Sequence, residues 1–336
     1  MMRIIPWIVF AVLWSAPATA ASSFYEGKKI SFVVGLAPGG GYDVYARLLA
    51  RYFPKYVPGN PTVIVENRVG AASGTAATYV YRIGPKDGTV VGVTLEILPL
   101  YQKMFAERVN FDMSKVRWIG NMATMNSMIA VSDKSPVKTV NDMTKYEANL
   151  GSTGVLSLTY IVPALLNALH GAKFKIVTGY RGTSEIDLAI ERGELHGAGG
   201  QWTRYVSGRP DWIAGGKIKP LLQFGLDDDP LMKGTPQLTS LAENDQQRAI
   251  YRIISSAPRF ARAMWVAPEV PADRVEILRT AFAQALKDPG FLADAAKGNL
   301  DISPTSVSDV ESAAADIAAT PQQHLQMLRE LLKDHK

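Results

Sequence analysis

The chain has 336 residues, of which 47% are hydrophobic and 20% charged, a composition typical of one large or two ordinary globular domains. It contains no cysteine, which excludes a disulfide framework, a zinc–thiolate site and a thiol nucleophile. The formal net charge is +5, but Lys and Arg are scattered and form no basic stripe interleaved with aromatic residues, so we expect no nucleic acid partner.

The start of the chain has the pattern of a secretory signal peptide over residues 1–20. Arg3 precedes an apolar run at residues 4–14 that is too short to span a bilayer, and Ala18-Thr19-Ala20 supplies a cleavage site with small residues. An N-terminal membrane anchor is the alternative. No later segment is long and apolar enough to cross a membrane, so we expect a soluble protein exported to the periplasm.

Strands and helices alternate in the first part of the chain. Strands are predicted at 29–36, 62–66 and 89–94, and helices at 41–53 and 75–83. Short connections between them indicate a parallel sheet covered by helices on both faces. Ligands of such sheets bind beyond the carboxyl ends of the strands, where loops 35–43 and 67–74 lie. Glycines that precede a helix can hold an anion through backbone N–H groups.

The same arrangement recurs in the second part. Strands are predicted at 128–132, 149–151, 175–178, 195–200, 218–224 and 263–266, and helices at 155–170, 185–193, 273–287, 291–297, 306–317 and 321–333. The sequence therefore predicts an α/β protein with two similar domains: 21–124 with 253–336, and 125–252, with a ligand cleft between them. We expect the C-terminal helices to return to the first domain.

Several motifs resemble those of the Bug-type substrate-binding proteins of tripartite tricarboxylate transporters. The motifs are Pro38-Gly39-Gly40 with Asp43 and Ala46-Arg47, the run Val65-Glu66-Asn67-Arg68 with Gly70-Ala71, the turn Asp87-Gly88-Thr89, the loop Gly151-Ser152-Thr153-Gly154 with Ser157, Tyr180-Arg181-Gly182 with Asp187-Leu188, and Ala267-Pro268 with Pro271. They occur in the family's order and spacing over essentially the whole chain after residue 20.

This resemblance implies a two-lobed periplasmic binding protein of the Venus-flytrap type, each lobe a mostly parallel sheet flanked by helices. Such a receptor closes by a hinge on a small carboxylate and delivers it to membrane permease subunits. It implies no enzyme activity, no cofactor and no metal, and a monomer. The chain departs from the family pattern at five positions, which are Val69, Leu156, Tyr160, His196 and, where a Trp is expected, Arg262.

The predicted ligand contacts come from both domains. They are Gly39, Gly40, Gly41, Tyr42, Ala72 and Ser73 in the first domain, and Ser152, Thr153, Ser157, Tyr180, Arg181, Asp187 and Trp202 in the second. Each has a structural alternative: a turn for the glycines, a helix cap for the hydroxyls and for Asp187, a surface position for Arg181 and a hinge lining for Trp202. Asp43 is interpreted as serving the dipole of its own helix, and Glu96 as a weaker contact.

Other functions remain open from the sequence. An exported lyase or hydrolase on the same scaffold would use His196 near Glu194 as its acid–base group, although none of the usual catalytic or phosphate-binding motifs is present. A sensory partner that presents ligand to a membrane sensor is a further alternative. The four histidines show no metal-binding spacing, and the run Asp227-Asp228-Asp229-Pro230 is interpreted as a solvated turn. Aliphatic dicarboxylates or tricarboxylates, aromatic acids and neutral metabolites are all possible ligands.

Overall fold

The computed structural model describes residues 24–155, 157–225 and 228–333. The predicted signal peptide and Leu156 lie outside these residues, so those two interpretations stay predictions. In the part described, no helix combines the length and the apolar character that crossing a bilayer requires.

The first lobe is built on a five-stranded sheet with the order β2-β1-β3-β10-β4. Its strands are β1 (Lys29–Val34), β2 (Thr62–Asn67), β3 (Val90–Val93), β4 (Arg117–Asn121) and β10 (Ala263–Val266). Strand β1 is parallel to β2 and β3, whereas β10 is antiparallel to both of its neighbours. Four of the five strands therefore end at the same edge. The helices inserted between strands are α1 (Gly41–Tyr52), α2 (Gly74–Thr78), which a π-helical turn continues to Ile83, and α3 (Leu98–Met104).

The second lobe repeats this plan with the order β7-β6-β8-β5-β9. Its strands are β5 (Ser127–Ser132), β6 (Ala148–Gly151), β7 (Phe174–Val177), β8 (Gly197–Gln201) and β9 (Ile218–Phe224), and β5 is the antiparallel one. The helices are α4 (Leu158–His170), α5 (Thr183–Arg192), α6 (Thr203–Gly208) and α7 (Pro210–Ala214). The predicted two-lobed α/β fold with mostly parallel sheets is confirmed.

The remaining helices follow β9 and connect the lobes. They are α8 (Asp245–Ser256), α9 (Ala272–Ala285), α10 (Pro289–Lys297), α11 (Val307–Ala318) and α12 (Gln322–Lys333). As expected, α9 and α11 pack on β4 and α10 packs on α1. Helix α12 differs from the expectation, because it contacts α3 of the first lobe and α4 of the second. Apolar residues of both lobes consequently form one continuous core around α3, α4, α8, α11 and α12.

Two elements differ from the predictions for local reasons. The helix predicted from residue 155 begins at Leu158, because Ser152, Thr153 and Ser157 ahead of it are held by hydrogen bonds to the Thr159 hydroxyl in its first turn. Residues 139–143, which the sequence also predicts as the start of a helix, contain only the 3-10 turn Val140–Asp142, with Thr139 and Asp142 exchanging side-chain bonds to each other's backbone.

Candidate functional site

The two lobes approach each other at the loops that follow β1 and β7. A Cβ built on Gly182 would lie 3.7 Å from the Cβ of Ala37, which is ordinary van der Waals contact. Gly182 is the residue that caps the start of α5, and Ala37 opens the glycine loop before α1. The carboxyl edges of the two sheets therefore face each other, with helix starts on both sides.

The glycine loop before α1 is held by Asp43. The N–H of Gly39, whose φ is +79°, donates to Asp43 Oδ2 at 2.8 Å, and the same carboxylate accepts from Arg47 Nε at 2.8 Å and Asn67 Nδ2 at 2.9 Å. Asp43 is buried, which favours its neutral form, but these bonds outweigh the burial and lower its pKa. Asp43 therefore fixes the loop, while the N–H groups of Gly41 and Tyr42, in the first turn of α1, have no carbonyl of an earlier turn to pair with.

Tyr42 points its hydroxyl into the protein. The hydroxyl is hydrogen-bonded to the Glu96 carboxyl and accepts from the Glu96 N–H at 3.2 Å. The guanidinium of Arg262 lies over the ring, 4.4 Å from its centroid. Tyr42, Glu96 and Arg262 are all buried, and burial raises the pKa of Glu96. The phenol of Tyr42 is therefore bonded within this cluster. The predicted ligand contact at position 42 stays a prediction for its backbone N–H.

The loop after β2 has an unusual backbone. Ala71, Ala72 and Ser73 have φ values of +45°, +46° and +73°, a region that side-chain-bearing residues rarely adopt. Ser73 is fully buried, its Oγ accepts from the Leu95 N–H at 3.2 Å, and it makes no cap bond to α2. The cap interpretation of Ser73 was therefore wrong. Three consecutive strained residues at a sheet edge are the kind of feature that functional loops retain.

Hydroxyl groups cluster at the start of α4 in the second lobe. Thr159 Oγ1 lies 3.0 Å from Ser152 Oγ and 2.5 Å from Ser157 Oγ, and it accepts from the Thr153 N–H at 3.1 Å. Ser152 Oγ also accepts from the Gly154 N–H at 3.1 Å. Ser157 precedes α4 but makes no side-chain cap bond to it. The three predicted residues are thus brought together around Thr159, which the sequence interpretation missed.

Arg181 is paired within its own segment. Its Nε donates to Glu185 Oε1 at 2.8 Å and its N–H to Glu185 Oε2 at 2.9 Å, and 79% of the side chain is exposed. Tyr180 is half-buried and packs on the apolar cluster around Trp202 and Tyr205. The carboxylate that completes the start of α5 is therefore Glu185. The helix cap given as the alternative for Asp187, which would pair it with Ser184, is not formed, since α5 begins at Thr183 after Gly182.

Asp187 belongs to a buried ion pair. Its Oδ1 accepts from Arg204 Nη2 at 2.8 Å, and Arg204 also donates from Nη1 to the Gly199 carbonyl at 3.2 Å and from Nη2 to the Tyr205 hydroxyl. Burial raises the pKa of Asp187, and the nearby charge of Arg204 only partly opposes this rise. For Arg204, burial lowers the pKa, but the interactions with Asp187 and Tyr205 outweigh burial, so the pKa is raised. Trp202 is 3% exposed and packs edge-on against Tyr205, with 5.5 Å between ring centroids.

His196 lies at the other edge of the second sheet. It immediately precedes β8, at the amino end of that strand, and its Nδ1 accepts from the Asn149 N–H at 3.0 Å. This bond gives the imidazole a structural role. In the described residues, no group of three or more His, Cys, Asp or Glu side chains could hold a metal ion.

A separate cavity of about 730 Å³ lies beside the connection between β4 and β5. Thr124, Met125 and Asn126 form one wall, and residues 228–231, 255–259 and 301–312 contribute the others. None of the predicted ligand contacts lines it. The cavity therefore borders the crossing between the lobes rather than the facing loops.

The comparisons with known proteins identify the class of the chain. Residues 58–328 match the family model described as "Tripartite tricarboxylate transporter family receptor". The chain belongs to this family of transporter receptors, and the predicted family resemblance is confirmed.

Individual relatives are more distant. A Cupriavidus necator protein described as "UPF0065 protein in gbd 5'region" is 26% identical over 304 residues, which cover 86% of this chain and 84% of that protein. Among solved structures, the periplasmic binding protein BugD superposes with a TM-score of 0.70 at 17% identity, covering 91% of this chain and 98% of the other. MatC from Rhodopseudomonas palustris, solved with bound malate, has a TM-score of 0.67 at 18% identity and covers 91% and 99%.

Proposed function

We propose that this receptor captures a small organic carboxylate in the periplasm, between the glycine loop of the first lobe and the hydroxyl cluster of the second. The observation that carries the proposal is the contact distance between Ala37 and Gly182, because it sets the start of α1 against the start of α5. The hydroxyl cluster lies beside the start of α5, since β6 and β7 are parallel neighbours and end at the same edge. Backbone N–H groups at the starts of helices stabilise anions through hydrogen bonds and the helix dipole. The malate bound to the structurally similar MatC supports a dicarboxylate ligand.

The mechanism is hinge closure. Residues 122–126 connect β4 to β5, and the segment after β9 returns the chain to β10. We place the lobes at 21–124 with 253–336 and at 125–252; the first boundary lies between β4 and β5, and the second within α8. A ligand favours the closed form only through contacts that are better in that form, and contacts from both loops meet this condition. The closed monomer then presents the carboxylate to the permease subunits of a tripartite transporter, without cofactor or metal.

The direct test is a thermal-shift screen of the mature protein against aliphatic and aromatic carboxylates, followed by calorimetry on each hit. Ser152→Ala and Ser157→Ala should each weaken binding by about tenfold, because each removes a hydroxyl from the cluster at the start of α4. Ser135→Ala is the matched control: Ser135 is equally buried and accepts from the Val137 N–H at 3.1 Å, but it lies beyond the far end of β5.

Small-angle scattering provides the second measurement. A ligand that binds should make the particle more compact, because the lobes close on it. Binding unaffected by both serine variants would remove the hydroxyl cluster from the site. An unchanged radius of gyration with every ligand of the panel would contradict the closure mechanism.

A further inference from the structure

Arg262 is a buried cation beside the first turn of α1. It immediately precedes β10 and is 2% exposed. A Cβ built on Gly41 would lie 2.7 Å from Arg262 Nη2, so the guanidinium occupies the space that a side chain at position 41 would need. Helical Cα–Cβ bonds tilt toward the N-terminus of the helix. The guanidinium therefore lies toward the same end of α1 as its unpaired N–H groups.

This cation has no carboxylate in contact with it. Among the described residues it forms no ion pair within 4.0 Å; Nη1 donates to the Ala261 carbonyl at 2.6 Å, and Nε is buried without a hydrogen-bond partner. The rings of Tyr42 and Tyr45 lie 4.4 and 4.6 Å from the guanidinium carbon. The nearest carboxyl is that of Glu96: it is hydrogen-bonded to the Tyr42 hydroxyl, interacts with Arg262 through space without contacting it, and has a pKa that burial raises.

Two positive features thus lie side by side. An arginine stays charged even when buried, and the start of a helix carries a partial positive charge. Without an anion this arrangement is unfavourable, whereas a carboxylate at the glycine loop would interact favourably with both features. A side chain at position 41 would have to displace the Arg262 guanidinium, so the two residues are coupled.

We propose that Arg262 makes the first lobe selective for anionic ligands, with the ligand carboxylate serving as the counter-charge that this buried guanidinium lacks. Arg262 acts from behind the loop of Gly39, Gly40 and Gly41 and does not itself contact the ligand. The inference rests on the proposed function, since it concerns the same site. Beyond that function, it predicts that the ligand group bound by the first lobe is negatively charged.

The test measures binding of succinate, malate and adipate to the mature protein by calorimetry. Arg262→Met keeps most of the side-chain volume and removes the charge, and it should weaken the tightest of these ligands at least tenfold, which corresponds to about 1.4 kcal/mol. Arg262→Lys restores a charge and should bind within about threefold of the wild type. Arg259→Met is the matched control, because Arg259 is three residues away, partly exposed and paired with Asp316 at 3.7 Å.

Stability separates an electrostatic role from a structural one. Replacing an unpaired buried charge by an apolar side chain leaves the unliganded protein as stable or more stable, so Arg262→Met should lose affinity while its urea midpoint stays equal or rises. If this variant does not fold, Arg262→Gln supplies the neutral side chain. If Arg262→Met, or Arg262→Gln in its place, binds as tightly as the wild type, the inference is overturned. It is also overturned if the neutral variant loses both affinity and stability and Arg262→Lys loses them as well. If no carboxylate binds even the wild type, the proposed function fails as well.

Discussion

The ion pair between Asp187 and Arg204 gives the sharpest prediction about stability. Asp187→Leu leaves the buried guanidinium with the Gly199 carbonyl and the Tyr205 hydroxyl as its partners, and with Nε unpaired. Removing one member of a buried pair in this way costs about 3–5 kcal/mol. The double variant with Arg204→Met replaces both charges by apolar side chains and should return to within about 1–2 kcal/mol of the wild type.

The assay is urea unfolding of the four proteins in the double-mutant cycle. We expect a coupling energy of about 2 kcal/mol or more, because the second substitution should relieve the damage done by the first. The control is the exposed pair of Glu185, in the first turn of α5, and Arg181, which precedes that helix; its cycle should show no resolvable coupling. Additive effects for Asp187 and Arg204 would refute the reasoning. Carboxylate affinity in the folded double variant then reports directly whether Asp187 also acts on the ligand.

Three further predictions concern residues near the carboxyl edges of the two sheets. Burial raises the pKa of Glu96 above its ordinary 4.5, so the native state binds this proton more tightly than the unfolded state does. Stability should therefore fall as the pH rises from 4.5 through the native pKa. Glu96→Gln should flatten this slope in urea titrations across pH 4–8. Ala72→Gly should stabilise the protein by about 0.5–1 kcal/mol, since it relieves left-handed strain of about 1–2 kcal/mol at a smaller entropic cost, whereas the helical control Ala77→Gly should destabilise it by about 1 kcal/mol. Thr159→Val should cost about 1–3 kcal/mol in urea midpoints, because it leaves the Thr153 N–H without its acceptor, while Thr159→Ser should retain most of the stability. Each argument has a contradicting result: an unchanged pH slope in Glu96→Gln, a loss of stability in Ala72→Gly, or unchanged stability in Thr159→Val.

The sequence predicts the fold well where the signal is local. Strands β9 and β10 occupy the predicted ranges 218–224 and 263–266: β10 is an apolar run closed by Pro268, and β9 lies between the glycines at 215–216 and Gly225. The loops rich in glycine and hydroxyl groups also fall at the carboxyl ends of their strands, as the alternation of strand and helix requires. These features depend on neighbours along the chain, which the sequence lists directly.

The missing parts of the site depend on partners that are distant in the chain. Asp187 has a serine three residues earlier and was compatible with a helix cap, but its partner is Arg204, seventeen residues later. Arg262 departs from the family pattern, yet only the fold places it beside Gly41. Thr159 is the exception, because its partners lie within seven residues; the helix predicted from residue 155 placed it inside the helix rather than in the first turn, beside the cluster. Spacing along the chain carries no information about the distant contacts.

Helix α12 has a mechanical consequence for closure. It touches α3 and α4, and each of these helices follows a loop at the carboxyl edge of its sheet: α3 begins shortly after Glu96, and α4 directly after Ser157. With 13 residues, α4 is about 20 Å long. Because α12 packs on helices of both lobes, a hinge movement that shifts α3 relative to α4 has to change this packing. We therefore expect substitutions between α12 and these two helices to change how far the lobes open.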